Sequence, residues 1–246
     1  MALKASPEDQ AQLLVLQEHD TVLARLAHRA KTLPEHARLS ELGAAVEELR
    51  ASHAERHGAA EDARLELGRV ESDVAVVEAR IARDSERLQS SSSVKDVAAL
   101  EQELTALRSR LNDLEEIELA VMQQVEDLEA EVTASTAALD QARAGVAETE
   151  AARDAALAQL EAERAQTEAA RQQLAGRIPA ELLALYEKQR ARYGSGASLL
   201  RGGVSEASGV RLLENELAAV RAAAPDDVLL CPSSEAILVR TSESGL

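Results

Sequence analysis

The stretch LEQELTALRSRLNDLEEIELAVMQQVEDLEAEV (Leu100–Val132) decides how this chain folds. Starting at Leu100, alternating steps of four and three residues land on Leu104, Leu107, Leu111, Leu114, Glu118, Val121, Val125, Leu128 and Val132, and the stepping continues through Ser135, Leu139, Ala142 and Val146. An apolar position every 3.5 residues, sustained over many turns, is the a/d seam of a left-handed coiled coil, in which each seam side chain fills a hole on a facing helix. The upstream segment repeats the pattern. From Leu42 the same steps reach Val46, Leu49, His53, Arg56, Ala60, Ala63, Leu67, Val70, Val74, Val77, Ile81, Asp84 and Leu88. Two long helices therefore carry two matching seams.

Helix boundaries are legible around them. Ser6-Pro7-Glu8-Asp9 supplies a cap, a proline at the first helical position and acid in the first turn. Pro34-Glu35 starts a second helix, and Ser93-Val94-Lys95-Asp96 a third after the serine run from Ser90. The expected helices are 7–31, 34–89 and 94–176 with a tip at 90–95, so that residues 1–178 form a coiled-coil hairpin and 179–246 a separate module. At 1.5 Å per residue the three helices measure roughly 37, 85 and 120 Å, so the first two, broken at Pro34, can line one side of the third. A tip near 91–95 gives a register in which facing positions sum to about 188. That sets His53 and Arg56 beside Ser135 and its neighbours, and Arg69 and Val70 beside Glu118. The polar interruptions of the two seams then face each other, a device that fixes register. His53 and Arg56 otherwise read as solvated seam-edge residues, and His19, His28, His36 and His57 show no ligand or triad spacing.

Composition agrees with a rod rather than a ball. The 246 residues are 46% hydrophobic but only 1% aromatic, with no Trp or Phe, and 29% are charged. Alanine, leucine and valine bury a narrow seam but do not fill a thick core. The net charge is −17. It resides in the helical part, where residues 1–177 hold 20 Lys and Arg against 35 Asp and Glu, while 178–246 hold 7 against 9. Phosphate backbones demand cations, so nucleic acid is excluded from the helical bulk and could only meet the C-terminal end. No apolar run approaches the ~18 residues of a membrane span. The N-terminus lacks a signal-peptide core, and the single cysteine forms no internal disulfide. These features place the chain in the cytoplasm, away from membranes.

Beyond Pro179 the pattern changes. Pro179–Lys188 restarts a helix with Leu182, Leu183 and Tyr186 on its apolar side, and the glycines of RYGSGASLLRGGV (Arg192–Val204) force turns. The Gly-x-Gly there is not a phosphate loop, because no Lys-Ser/Thr follows and no strand precedes it. A short helix is expected at Arg211–Ala222 and strands at VLLC and AILVR. Two turns, SEAS (Ser205–Ser208) and CPSS (Cys231–Ser234), place their outer residues as X-x2-X, a gap of 22, then X-x2-X. This is the spacing of a four-ligand zinc ribbon, with a glycine after the first turn. The occupants are Ser205, Ser208, Cys231 and Ser234. A hydroxyl ionises far above neutral pH and offers no thiolate, so no zinc is expected here. Residues 194–246, deprived of a metal, are expected to be the least stable part unless they dock on the helix carrying Leu182 and Tyr186.

The whole chain resembles a bacterial family of long coiled-coil hairpins ending in a C4-type zinc ribbon, and its Ala/Arg-rich composition is similar to that of actinobacterial members. The resemblance rests on LLVLQEHD (Leu13–Asp20), the Leu33-Pro34-Glu35 break, SSVKDVAALEQEL (Ser92–Leu104), IPAELLALYEK (Ile178–Lys188), RYGSGASLLRGGV and CPSSEAILVRTSESGL (Cys231–Leu246). It implies cysteines at positions 205, 208 and 234, with zinc as the cofactor of members that keep all four. It also implies contacts with RNA, a sigma factor or a secretion apparatus. The fold expected is all-α dominated: a long antiparallel coiled-coil hairpin with a small zinc-ribbon-like α+β module.

No nucleophile–base pair, paired-carboxylate pocket or cofactor loop stands out, and a two-helix hairpin has no interior for one. The reading is a non-catalytic adaptor whose arm binds partner proteins while the terminal module engages a second partner. The alternative is a regulator that binds RNA or DNA through that module, with Lys188, Arg190, Arg192, Arg201 and Arg211 as contacts. Glu187, Glu206 and Glu214 offset these cations, and no aromatics interleave them for base stacking. The seams can be satisfied within one hairpin, which favours a monomer and leaves a dimer open.

Overall fold

A computed structural model of the chain describes residues 3–246. Its elements are helices α1 (Pro7–Lys31), α2 (Pro34–Ser90), α3 (Val94–Ala175), α4 (Ala180–Tyr193) and α5 (Glu214–Ala222), and strands β1 (Ala197–Arg201), β2 (Val204–Ser205), β3 (Val210–Arg211), β4 (Leu229–Leu230) and β5 (Ile237–Val239). The chain is a long helical hairpin with a small C-terminal strand module. It divides into two compact units, one of Glu35–Ala151 and one comprising the N-terminal segment through Pro34 with Ala152–Leu246.

In the unit of Glu35–Ala151, α2 and the first part of α3 run antiparallel. Cross-helix partners descend on one helix as they rise on the other: Arg80 meets Glu103, Arg64 meets Glu129, Arg56 meets Glu131 and His53 meets Ser135. The buried positions of α2 are Val46, Ala60, Ala63, Val70 and Asp84, and those of α3 within this unit are Leu100, Leu104, Leu114, Val125, Ser135 and Leu139. Every one lies on the heptad stripe read from the sequence. The His53–Ser135 contact at 2.9 Å sits at the expected register. Ser135 Oγ also lies 2.8 Å from the Val132 carbonyl of its own helix, to which its hydroxyl can donate. Asp84 is a buried charge in the seam, paired with Arg80 and Arg87.

In the other unit, Ser6 caps α1 by accepting from the Asp9 N–H at 3.1 Å. Residues 3–5 lie antiparallel to 226–228, held by Ala5 N–H to Asp226 O at 2.9 Å and Val228 N–H to Leu3 O at 3.1 Å. The five strands form one sheet in the order β3-β2-β1-β5-β4, with β1 and β5 parallel and the other pairs antiparallel. Gly202 and Gly203, both at positive φ, make the two-residue turn between β1 and β2.

Two sequence expectations change here. The run Arg192–Val204 contains not turns alone but the central strand, β1. Its pairing partners lie in β2 and, some forty residues on, in β5, so the local glycines conceal it. The helix expected at Arg211–Ala222 begins at Glu214, because Arg211 pairs with Val204 across β2 and β3, and Glu216 accepts the Leu213 N–H at 2.8 Å to start α5.

Leu13 and Leu16 of α1, Leu182 and Tyr186 of α4, and Ala197, Ile237 and Val239 of the sheet make one buried cluster. Leu200, Leu212, Leu217, Val220, Cys231 and Leu238 make a second, under α5. Full burial of each Leu, Ile or Val contributes about 1.5–3 kcal/mol. The strand module thus docks on the helix bearing Leu182 and Tyr186 and has apolar support of its own. Gly196 is required at this junction, since a Cβ there would come within 2.5 Å of the Tyr186 ring.

Candidate functional site

The four outer turn positions lie on two turns, one leaving β2 and one leaving β4. Ser205 lies in β2 and Cys231 directly after β4, and both are wholly buried. Ser205 Oγ is 2.9 Å from Ser198 Oγ, which accepts the Ala207 N–H at 2.9 Å. Ser208 Oγ accepts the Val210 N–H at 3.2 Å and donates weakly to Ser205 O at 3.5 Å. Ser234 Oγ is buried without a hydrogen bond of normal geometry. Burial alone would push the Cys231 thiol up. The hydroxyls of Ser205 and Ser234, with the backbone of Ser234 and Ser233, more than offset that and hold it below its ordinary value.

Zinc, which the resemblance implies at these positions, does not fit this donor set. A structural zinc site is built from thiolates and imidazoles. Here the four positions offer one thiol and three neutral hydroxyls, two of which are committed to neighbours within the protein. Among the described residues no cluster of three or more His, Cys, Asp or Glu side chains is placed to hold a metal.

The five candidate cations are not one free surface. Arg190 is held by Asp20 at 3.2 Å and by Glu187 at 2.8 Å. Arg201 is bracketed by Glu206 and Glu243, each at 2.9 Å. Arg192 lies 5.2 Å from the centre of the Tyr193 ring. Lys188, Arg192 and Arg211 are exposed. A further cation of the module, Arg240, is taken up inside the protein: its guanidinium donates to the carbonyls of Ala223, Ala224 and Asp227 at 2.6–3.0 Å, closing the end of α5.

A cluster that sequence reasoning missed joins α1, the end of α3, α4 and β1. Asp20, its side chain 6% exposed, accepts from Arg171 Nε at 2.7 Å and Nη2 at 3.1 Å, from Arg190 Nη1 at 3.2 Å and from the Tyr186 hydroxyl at 2.6 Å. Gln17 Oε1 accepts the Gly196 N–H at 2.7 Å and the Ala197 N–H at 3.3 Å, tying α1 to the start of β1. Burial would raise the Asp20 carboxyl, but hydrogen bonds from Arg171 and Tyr186 and the two guanidinium charges hold it below the usual range. Burial and the Asp20 carboxylate together push the Tyr186 phenol far above its ordinary value. One signal could have found the cluster. Gln17 and Asp20 continue the i, i+3, i+4, i+7 stripe begun by Leu13 and Leu16, so they face the same buried side.

Concave surface is scarce. In this unit a cleft of about 480 Å³, open to solvent, runs between α1 and the β1–β2 region past Leu14, Glu18, Arg25, Ser198 and Glu206. It assembles no nucleophile with a base and no pair of facing acids. Among the described residues no helix is long and apolar enough to cross a membrane.

Fold and site together define a coiled-coil hairpin protein with a small terminal sheet. The chain belongs to the family described as the CT398-like coiled coil hairpin domain, whose model matches residues 16–194. It is 37% identical to the uncharacterized protein Rv2229c of Mycobacterium tuberculosis over 97% of this chain and 98% of that one. A structure from Mycobacterium smegmatis is similar at a TM-score of 0.85 and 39% identity, covering 97% of this chain and 100% of its own. CT398 from Chlamydia trachomatis shares the fold at a TM-score of 0.63 and 18% identity, over 94% and 97% of the two chains.

Proposed function

We propose that this protein is a non-catalytic adaptor: its coiled-coil hairpin binds one protein partner and its C-terminal module another. The observation that carries this reading is the placement of apolar side chains outside both cores. Leu65, Val76 and Leu119 on the hairpin unit are 63–68% exposed, although the seam has its own apolar residues. On the module, Val210 and Leu213 are 51% and 64% exposed. Solvated coiled-coil faces are normally charged, so large aliphatics there favour contact with a second protein. The open cleft and the missing reactive constellation support a role without chemistry.

Affinity capture with the full-length protein tests this. The variant L65Q/V76Q/L119Q should keep its helicity and lose one set of captured proteins, and V210Q/L213Q should lose a different set. Capture unchanged by both variants refutes the adaptor. The nucleic-acid reading is disfavoured by the engagement of Arg190 and Arg201 in ion pairs. Filter binding of RNA and DNA across salt concentrations should show no salt-dependent complex.

A further inference from the structure

Between Arg110 and Arg143, α3 carries nine Asp and Glu residues and no Lys or Arg. The flanks of a coiled-coil seam ordinarily mix the two signs, so that charges pair across the helices. Of the eight acids from Asp113 to Glu131, only Glu129 and Glu131 form ion pairs, with Arg64 and Arg56 of α2. Asp113, Glu115, Glu116, Glu118 and Glu126 enter no ion pair among the described residues. The apolar pattern is inverted in the same stretch. Glu118 occupies a seam position, while Ile117 and Leu119 on either side of it are 45% and 68% exposed. A local break of the apolar-in, polar-out rule marks positions that serve something other than the hairpin's own packing.

One flank gathers these features. The Arg64–Glu129 ion pair bridges α2 and α3 along it. Steps of three and four residues keep to one side of a helix. They lead from Glu129 back through Glu126, Met122, Leu119 and Glu115, and from Arg64 on through Gly68, Glu71 and Ala75. Apart from Glu129, every one of these residues is exposed. Leu119 and Met122, 68% and 41% exposed, make an aliphatic strip beside the small Gly68 and Ala75 of the antiparallel helix. Glu71, Glu115 and Glu126 border the strip with no cation of their own among the described residues. A Cβ added at Gly68 would meet nothing within 4 Å, so no part of the described chain fills that side.

We propose that this flank of the hairpin is the seat of a cationic amphipathic helix from a partner protein. Leu119 and Met122 take the aliphatic stripe of that helix, Gly68 and Ala75 let its backbone approach, and Glu71, Glu115 and Glu126 face Lys or Arg along its edges. From Glu115 to Glu126 the flank measures about 16 Å, which accommodates about three turns of the partner helix. A second copy of this chain does not suit the seat, because it would set acid against acid, and nucleic acid is repelled for the same reason. The assignment rests on the adaptor reading and supplies the chemistry of the hairpin's partner.

The test titrates the full-length protein into labelled synthetic peptides about twelve residues long, read by fluorescence anisotropy. The first peptide is built of Lys, Leu and Ala patterned as an amphipathic helix, the second is its scrambled form, and the third has Glu at each Lys. The first should bind, and the other two should bind at least roughly tenfold more weakly. L119Q/M122Q should weaken the first peptide by about tenfold while the helix band in circular dichroism stays unchanged. E71Q/E115Q/E126Q should weaken it as well and flatten its salt dependence. E48Q/E148Q/E150Q removes the same charge from exposed positions elsewhere on α2 and α3 and should leave binding as it was. Absence of binding, equal binding of the scrambled peptide, binding untouched by the flank variants, or an equal loss in both triple variants overturns the proposal. The titration decides the seat, and capture with L65Q/V76Q/L119Q decides the adaptor. A peptide that fails to bind while that variant still loses captured proteins overturns the seat and leaves the adaptor standing.

Discussion

Replacing Asp20 by alanine should cost about 3 kcal/mol in the unit that contains the sheet. The carboxylate is 6% exposed and receives two bonds from Arg171, one from Arg190 and one from Tyr186, at 2.6–3.2 Å. Deleting one partner of a buried ion pair costs ~3–5 kcal/mol, mostly because the other charge is left without compensation. Here Glu187 stays beside Arg171 at 2.5 Å and Arg190 at 2.8 Å, and the Tyr186 hydroxyl keeps Gln17 at 3.3 Å, so the lower end of that range applies. The assay follows from composition. The chain has two tyrosines and no tryptophan, and Tyr186 and Tyr193 both lie in this unit. Tyrosine fluorescence during urea unfolding therefore reports this unit alone, while circular dichroism at the helix band reports both. With a slope of ~2 kcal/mol/M the tyrosine midpoint should drop by roughly 1.5 M. The pH dependence has a definite sign. The folded Asp20 carboxyl titrates below its ordinary value of 3.8, so its stabilisation is complete above that value and lost as pH falls through the lower folded one. The gap between native and D20A should thus be constant near neutrality and close on acidification below about pH 4. A D20A stability within ~0.5 kcal/mol of native at pH 7 would refute the account of a buried clamp.

Three other outcomes are expected. G196A should destabilise the same unit by ~1–3 kcal/mol in the tyrosine assay, since the added methyl overlaps the Tyr186 ring in a packed junction. G58A and G68A, in exposed positions of α2 with open space around an added Cβ, should each stabilise the hairpin by about 0.8–1 kcal/mol, read from helix-band melting. S135A should cost ~1 kcal/mol, and a double-mutant cycle with H53A should show coupling of ~0.5–1 kcal/mol; strict additivity would mean that His53–Ser135 does not set the register.

The hairpin was readable because its signal is local and repeated. Leu100, Leu104, Leu114 and Leu139 announce their burial by spacing alone, and the serine run marks the reversal, so even the His53–Ser135 pairing could be counted out. The segments Ser205–Ser208 and Cys231–Ser234 are each a turn, closed by Gly209 N–H to Ser205 O and by Glu235 N–H to Cys231 O. The strand β1 could not be read in the same way, because Ala197–Arg201 owes its conformation to β2 and β5 rather than to its glycine-flanked neighbours. The basic residues were misleading for a related reason. In sequence Arg190 and Arg240 are two more cations on a module of mixed charge, yet one closes on Asp20, 170 residues away, and the other caps a helix.

By itself, then, the order of residues determined the helices, their seams, the turn-back and the presence of hydroxyls in place of thiols at three of the four turn positions, since each depends on periodicity or on the chemistry of the residue itself. Tertiary structure alone decided that α1 and the end of α3 share a core with the sheet, and that Asp20 gathers two arginines and a tyrosine. Those contacts join groups about 150–170 positions apart. Their energy comes from desolvation and geometry that exist only once the chain has closed, and no short window of sequence contains either.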